Sequence, residues 1–314
     1  MDQVPILSII TPVFNGEKYI EETINSVLAA KTTFPFEYIV LNDGSTDTTL
    51  SIIKKFKNKI ILESHDNIGE SRTVNRGIDL AKGIYVLIVN ADDPLLTEDL
   101  INIGIKEISR DESIVAVYPD WKIINNFGDT LKLNILPDYT DEIMIGKCRT
   151  LPGPGTIFRK DVADTVGGRQ HKWRYVGDYD FWLRISRKGK IIRIPLVLAQ
   201  WRYHENSTSI SQRNVEMAKE RITVIEEFLK DFPVSKKLRK NALGNAYYMA
   251  ARLSFFDSKV PGKEFMFAAI RKSGGIPSET KLSVLVFILL LPISGLIIKM
   301  IPKKVIYRLG GNKW

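Results

Sequence analysis

Short β-rich runs alternate with amphipathic stretches through the first part of this chain, and polar, turn-forming clusters follow three of the runs. The runs Leu7 to Thr11, Glu37 to Asn42, Lys59 to Glu63, Ile84 to Asn90 and Val115 to Tyr118 are expected strands. Between them, Lys18 to Ala29, Thr48 to Phe56 and Ser71 to Ala81 repeat apolar residues at helical spacing. Near-continuous apolar strands alternating with helices imply a mostly parallel sheet covered on both faces. In such sheets ligands bind beyond the carboxyl ends of the strands. The three clusters fall at those ends: Pro12-Val13-Phe14-Asn15-Gly16, Asn42-Asp43-Gly44-Ser45-Thr46-Asp47 and Asn90-Ala91-Asp92-Asp93-Pro94. One edge of the expected sheet is therefore the candidate site.

The adjacent acids Asp92 and Asp93 follow a strongly apolar strand, where two negative charges are costly without a counter-ion. An oxygen-rich acidic site suits hard divalent cations such as Mg²⁺ or Mn²⁺; the alternative is a polar turn before Pro94, with Thr97 capping the next helix. No Walker-type lysine loop and no GxGxxG follow the first strand, so a bound nucleotide would not have its phosphates cradled by a glycine-rich helix start. A cation clamping a diphosphate is the simplest replacement, and it would offset charge on a leaving phosphate. Asp43 could accept from a base edge or cap the helix starting near Thr48. Gly177 to Arg184 places acids at a helix start, where the dipole keeps a carboxylate ionised; Asp178 there is either a general base or a plain cap. Leu151 to Thr156 is a glycine-rich loop that admits close approach of a substrate or is an ordinary turn.

From about Arg213 the pattern becomes helical: Val215 to Leu229, Ser235 to Phe256 and Lys263 to Lys272, the last two read as a packed hairpin. Leu282 to Ile298 is seventeen residues without a charge, interrupted by Pro292 and Gly295. That is the lower limit for a span, so a re-entrant or interfacial anchor is expected, with a buried core helix as the alternative. Six basic residues and no acid follow Glu279 and account for most of the net charge of +9. The basicity thus points to an anionic membrane surface and not to nucleic acid. A single cysteine, Cys148, excludes a disulfide framework and a cysteine-rich metal site. Met1 to Thr11 carries no basic region before its apolar run, so no secretory signal is expected there.

Taken in order, several segments resemble family 2 glycosyltransferases of the GT-A fold. They are Ser8 to Asn15, Val40 to Asp47, Asn67-Ile68-Gly69, Asn75 to Ile78, Ala81-Lys82-Gly83 leading to Asn90-Ala91-Asp92-Asp93, Gly155 to Arg159, Asp178 to Arg184 and Arg202-Tyr203-His204. The resemblance implies a Rossmann-like α/β domain with a C-terminal helical extension. It also implies donor-side residues Pro12, Val13, Phe14, Asn15, Asp43, Arg72, Asn90, Ala91 and Asp92, with Asp43 reading the base and Asp92 at the ribose. Asp93 and His204 would hold a divalent cation, Mn²⁺ or Mg²⁺, and Asp178 would be the catalytic base of an inverting transfer. Gly153, Gly155, Tyr179, Asp180 and Trp182 would lie on the acceptor side. The chain departs from the family pattern at Asn90 (aspartate in many members), at Gly177 (usually glutamate) and at Val74, where many members carry an arginine and this chain has Arg72 two positions earlier.

The expected organisation is a glycosyltransferase domain over residues 1–212, a helical extension over 213–276 and an apolar, basic tail over 277–314. The expected partners are a nucleotide-sugar donor (UDP being the family's common choice), a glycan or lipid-linked acceptor and the cytoplasmic face of a membrane. Two other readings are a nucleotidyltransferase, which normally brings an early glycine-rich basic signature, and a catalytically inactive sugar-nucleotide-binding scaffold at the membrane.

Overall fold

In the computed structural model, which describes residues 4–204, 215–253, 262–277 and 279, strand β1 (Leu7–Val13) runs between β2 (Phe36–Asp43) and β4 (Tyr85–Ile88). Strand β3 (Ile61–His65) extends the sheet beyond β2, and all of these pairings are parallel. Side chains of a strand alternate between faces, and here each face has its own helices. Leu7, Ile9 and Val13 join α1 (Ile20–Leu28), α2 (Thr49–Lys54) and α4 (Asp99–Ser109) in one core through Ile24, Ile53 and Ile105. On the opposite face, α3 (Glu70–Leu80) lies over Ile10 and Leu41 at Gly77.

Beyond β4 the sheet reverses twice. Strand β7 (Ile157–Arg159) is antiparallel both to β4 and to β5 (Ile114–Ile124), so β5 again runs in the direction of β1. Strand β6 (Thr130–Asn134) forms a hairpin with β5, and β8 (Lys190–Arg202) pairs with β5 in parallel. The order is β3-β2-β1-β4-β7-β5-β6, with β8 on β5. The two reversals decide where function can sit: β1, β2, β4, β5 and β8 all end at one edge. The last three strands are not legible in the sequence. β7 has only three residues, and β8 contains Pro195, which cannot donate to a ladder. The register jumps from Pro119 opposite Ile194 to Asp120 opposite Val197. A bulge takes Pro195 and Leu196 out of the pairing, and the strand continues.

The chain divides into two compact units, Met1–Tyr139 with Thr150–Glu205, and Thr140–Arg149 with Asn206–Trp314. Besides α5 (Lys160–Thr165) and α6 (Gly177–Ile185), which belong to the first, the helices α7 (Val215–Asp231), α8 (Lys236–Leu253) and α9 (Gly262–Ser273) belong to the second. Tyr248 and Ala251 of α8 pack on Met266 and Ala269 of α9, as the hairpin expectation required. The π-helical turn Glu142–Gly146 joins this unit: Asn245 donates its side-chain amide to the Gly146 carbonyl at 2.7 Å. Nothing in the sequence marks that excursion. The apolar run Leu282 to Ile298 lies outside the described residues, and among those described no helix is long and apolar enough to cross a membrane.

At Gly77 α3 lies close on the sheet, since a Cβ there would lie 2.5 Å from a methyl of Ile10 and 3.1 Å from one of Leu41. Overpacking of this kind costs about 1–3 kcal/mol. Gly77→Val is expected to lower the free energy of unfolding by that amount, read as a lower urea midpoint at an unchanged slope; an unchanged midpoint would show that α3 does not rest on the sheet in this way.

Candidate active site

The loops after β1 and β2 are stapled to each other. The Asn15 side-chain oxygen accepts from the Thr46 N–H at 2.8 Å, and the Ser45 hydroxyl accepts from the Asn15 N–H at 3.0 Å. The Glu17 carboxylate takes both the Thr48 N–H (3.0 Å) and its hydroxyl (2.6 Å). Asn15 has φ of 50°, a left-handed conformation that asparagine tolerates. Of the donor-side residues expected here, Pro12 is half-buried and Phe14 exposed, whereas Val13 packs its side chain into the core.

Asp43, buried at the end of β2, accepts from the Ile68 N–H at 2.7 Å and the Gly69 N–H at 3.1 Å. Its partners thus lie just ahead of α3, where backbone donors lack helical acceptors. Asp43 does not cap α2; Asp47 accepts the Thr49 N–H there, at 3.0 Å. At the departure from the family pattern, Val74 is buried on α3, while Arg72, in the first turn of that helix, is exposed and donates to the Ile68 carbonyl at 3.4 Å.

After β4 the two adjacent acids face different surroundings. Asp93 is buried, accepting from the Arg202 N–H at 2.7 Å and from the side-chain amide of the exposed Asn90 at 3.0 Å. Burial, and after it the neighbouring Asp92 charge, push the Asp93 carboxyl well above the usual carboxylate range. Asp92 points outward: its side chain is 30% exposed and lies 2.7 Å from His204 Nε2. Between these and α1, the Ala91 carbonyl accepts from the Thr23 hydroxyl at 2.8 Å. The family resemblance sets His204 with Asp93 at a cation, whereas the structure places its Nε2 against Asp92 and turns Asp93 to the Arg202 N–H and Asn90.

Arg202, which the sequence reading used only as part of a motif, organises the surroundings. Its Nε donates to the Asp92 carbonyl (2.9 Å), Nη1 to the Asn125 and Asn126 carbonyls (both 3.2 Å) and Nη2 to Glu22 (2.7 Å). The guanidinium lies 4.7 Å over the Tyr19 ring, which also meets the His204 ring at 5.4 Å. The one available signal was an arginine set between aromatic residues, Trp201 and Tyr203, at the end of an apolar strand.

In α6 every residue but Asp178 is buried; Asp178 is exposed, at the first turn. Its carboxylate accepts the Tyr179 N–H at 2.7 Å. Gly177, beside it, meets Ser71 of α3 so closely that a Cβ would lie 3.0 Å from the hydroxyl. The start of α6 therefore adjoins the start of α3, which Asp43 closes. Tyr179, Asp180 and Trp182, expected on the acceptor side, have their side chains inside: Trp182 packs edge-on to Phe158, and Asp180 forms a buried ion pair with Arg184 at 2.6 Å. The helix is covered on every side after its first turn, and Asp178 is exposed because it lies at that end. In the glycine loop, Gly155 has φ of 78° and its absent Cβ would lie 2.7 Å from Ala199, so packing demands it, while at Gly153 a Cβ would make only an ordinary contact with Trp121.

Two solved structures share this architecture: TarS 1–349 of S. aureus in complex with UDP-GlcNAc (TM-score 0.66, 21% identity, 85% of this chain and 81% of that one) and a mannosyltransferase from Pyrobaculum calidifontis in complex with GDP-Man and Mn²⁺ (TM-score 0.58, 14% identity, 98% and 84%). At such identities the likeness is one of fold, and the fold is GT-A, the architecture of enzymes that transfer sugars from nucleotides. Residues 8–167 match the model of Glycosyl transferase family 2. An uncharacterised glycosyltransferase of Rickettsia typhi is 30% identical over 318 residues, 88% of this chain and 95% of the relative. The chain belongs to glycosyltransferase family 2.

Whether the residues present fit a divalent cation is a question about Asp92 and His204. The partly open Asp92 carboxylate at the ligand edge is a donor that hard cations such as Mn²⁺ and Mg²⁺ take, and His204 Nε2, hydrogen-bonded to it at 2.7 Å, would add a nitrogen donor that fits Mn²⁺ better than the oxygen-bound Mg²⁺. Asp93 is not so placed, since its oxygens face the Arg202 N–H and Asn90. Among the described residues no three His, Cys, Asp or Glu side chains gather as a ligand set.

The contrast between the two acids is open to measurement. Asp93→Ala leaves the buried Arg202 N–H unpaired and is expected to cost about 1–3 kcal/mol. Asp92→Ala, at a partly exposed position, is expected to change stability by less than about 1 kcal/mol. Thermal melts without nucleotide or metal decide it, and a reversed order would contradict the division of labour described.

Proposed function

We propose that this protein is a metal-dependent, inverting glycosyltransferase that moves a sugar from a nucleoside-diphosphate donor, most simply a UDP-sugar, to an acceptor hydroxyl on a lipid-linked or growing surface glycan. The observation that carries this reading is Asp178, the exposed carboxylate at the first turn of an otherwise buried helix, adjoining the α3 start that Asp43 closes. In this reading Pro12, Phe14, Asn15 and Asp43 receive the nucleoside, with Asp43 as acceptor for a base N–H. Asp92 and His204 hold the cation, and Asp93 keeps the turn that presents Asp92. When bound, the cation offsets negative charge on the diphosphate.

Asp178 takes the proton of the acceptor hydroxyl. The hydroxyl oxygen bonds to the anomeric carbon from the side opposite the diphosphate, the carbon–oxygen bond to phosphate breaks, and configuration inverts. The expected apolar and basic tail would hold the enzyme at the cytoplasmic face of a membrane, which brings lipid-linked acceptors within reach.

A panel of UDP-, GDP- and dTDP-sugars tested with Mn²⁺ or with EDTA examines the donor and the metal together. Release of one nucleoside diphosphate, dependent on metal, is expected. Asp178→Asn should lower transfer by about 10²–10⁴-fold while donor affinity stays as in the wild type. Wild-type turnover in that variant would remove Asp178 as base, and a product with retained anomeric configuration would remove the single-displacement route.

A further inference from the structure

We propose that Arg202 is a positioning residue that sets the cation affinity of the Asp92–His204 pair, an inference that rests on the metal reading above. A side chain that is 1% exposed must direct its N–H groups at acceptors, and the acceptors of Arg202 are not scattered. One is the carbonyl of Asp92 itself. The Arg202 backbone N–H holds Asp93, the next residue, through its carboxylate. The turn bearing Asp92 is therefore gripped twice from the residue that lies two positions before His204.

The remaining contacts fix the surroundings of that grip. Nη1 reaches two successive carbonyls at the β5–β6 hairpin, Asn125 and Asn126, and Nη2 reaches Glu22 of α1. Tyr19, ahead of α1, is shared: its ring lies under the guanidinium and against His204, and its hydroxyl donates to the Asn126 side chain at 3.0 Å. One guanidinium thus sets the distance between an Asp on the β4 turn and a His beyond β8, which are 112 residues apart in the chain. Lysine, with one nitrogen, cannot reproduce a planar fork that meets four acceptors in different directions. Contacts behind a metal-ligand pair typically change affinity by about 10- to 100-fold when removed.

The test is Mn²⁺ titration followed by electron paramagnetic resonance, with and without UDP, on the full chain. The variants are Arg202→Lys, Arg202→Met and Glu22→Gln, with Arg193→Lys as reference because Arg193 is also on β8 but pairs with Asp120. Both Arg202 variants are expected to weaken Mn²⁺ binding in the presence of UDP by at least about tenfold. UDP binding in EDTA should match the wild type. Arg193→Lys should lower the melting temperature without moving Mn²⁺ affinity. Glu22→Gln keeps the fold if the larger changes do not, and it should shift Mn²⁺ affinity in the same direction by less. Folded Arg202 variants with wild-type Mn²⁺ affinity, or an unshifted Glu22→Gln where those variants do not fold, overturn the proposal. A wild-type protein that binds UDP but no Mn²⁺ overturns the metal reading and this inference with it.

Discussion

A guanidinium removed from water is the constraint around which this site is arranged. Arg202 cannot shed its proton, so its charge and its N–H groups have to be answered where they lie. The answer comes from the Asp92 carbonyl, the Asn125 and Asn126 carbonyls, Glu22 and the face of Tyr19. Those groups belong to separate stretches of chain, and the arginine makes their mutual placement a condition of folding. The sheet makes this possible, because the two reversals around β7 return β5 and β8 to the direction of β1.

Much of this was legible from residues. The parallel strands announced themselves as apolar runs ending in Asn42-Asp43-Gly44 and Asn90-Ala91-Asp92-Asp93, and the edge they define is the one where Asp43, Asp92, Asp178 and His204 are found. Strands β6, β7 and β8 were not legible. A three-residue strand carries no periodicity, and Pro195 inside β8 disguises a long strand as a broken one until the bulge opposite Pro119 and Asp120 is seen. Side-chain direction was the other blind spot. Asp92 and Asp93 are chemically identical neighbours, and only the strand that arrives beside them, ending in Arg202, determines which faces His204.

The same limit explains α6. A segment reading Gly177-Asp178-Tyr179-Asp180-Phe181-Trp182 offers two acids and two large aromatic residues as equal candidates. Burial separates them: Asp180 is committed to Arg184, whose Nη groups also reach the Val166 and Gly168 carbonyls, and Trp182 to the cluster with Phe158 and Phe181. What a linear pattern cannot supply is that the helix is covered on every side beyond its first turn, which leaves only Asp178, at its start, exposed.

The stapling of the loops after β1 and β2 has a consequence for how such a protein can change its preferences. Asn15 with Thr46, Ser45 with Asn15 and Glu17 with Thr48 fix both loops before any ligand arrives. The entropy of ordering them is already lost in folding, so little of a ligand's binding energy is diverted to shaping its receptor. Selectivity at that edge then depends on the few groups that touch the ligand. Exchanging one exposed side chain there would alter what the edge accepts without reshaping the loops that carry it.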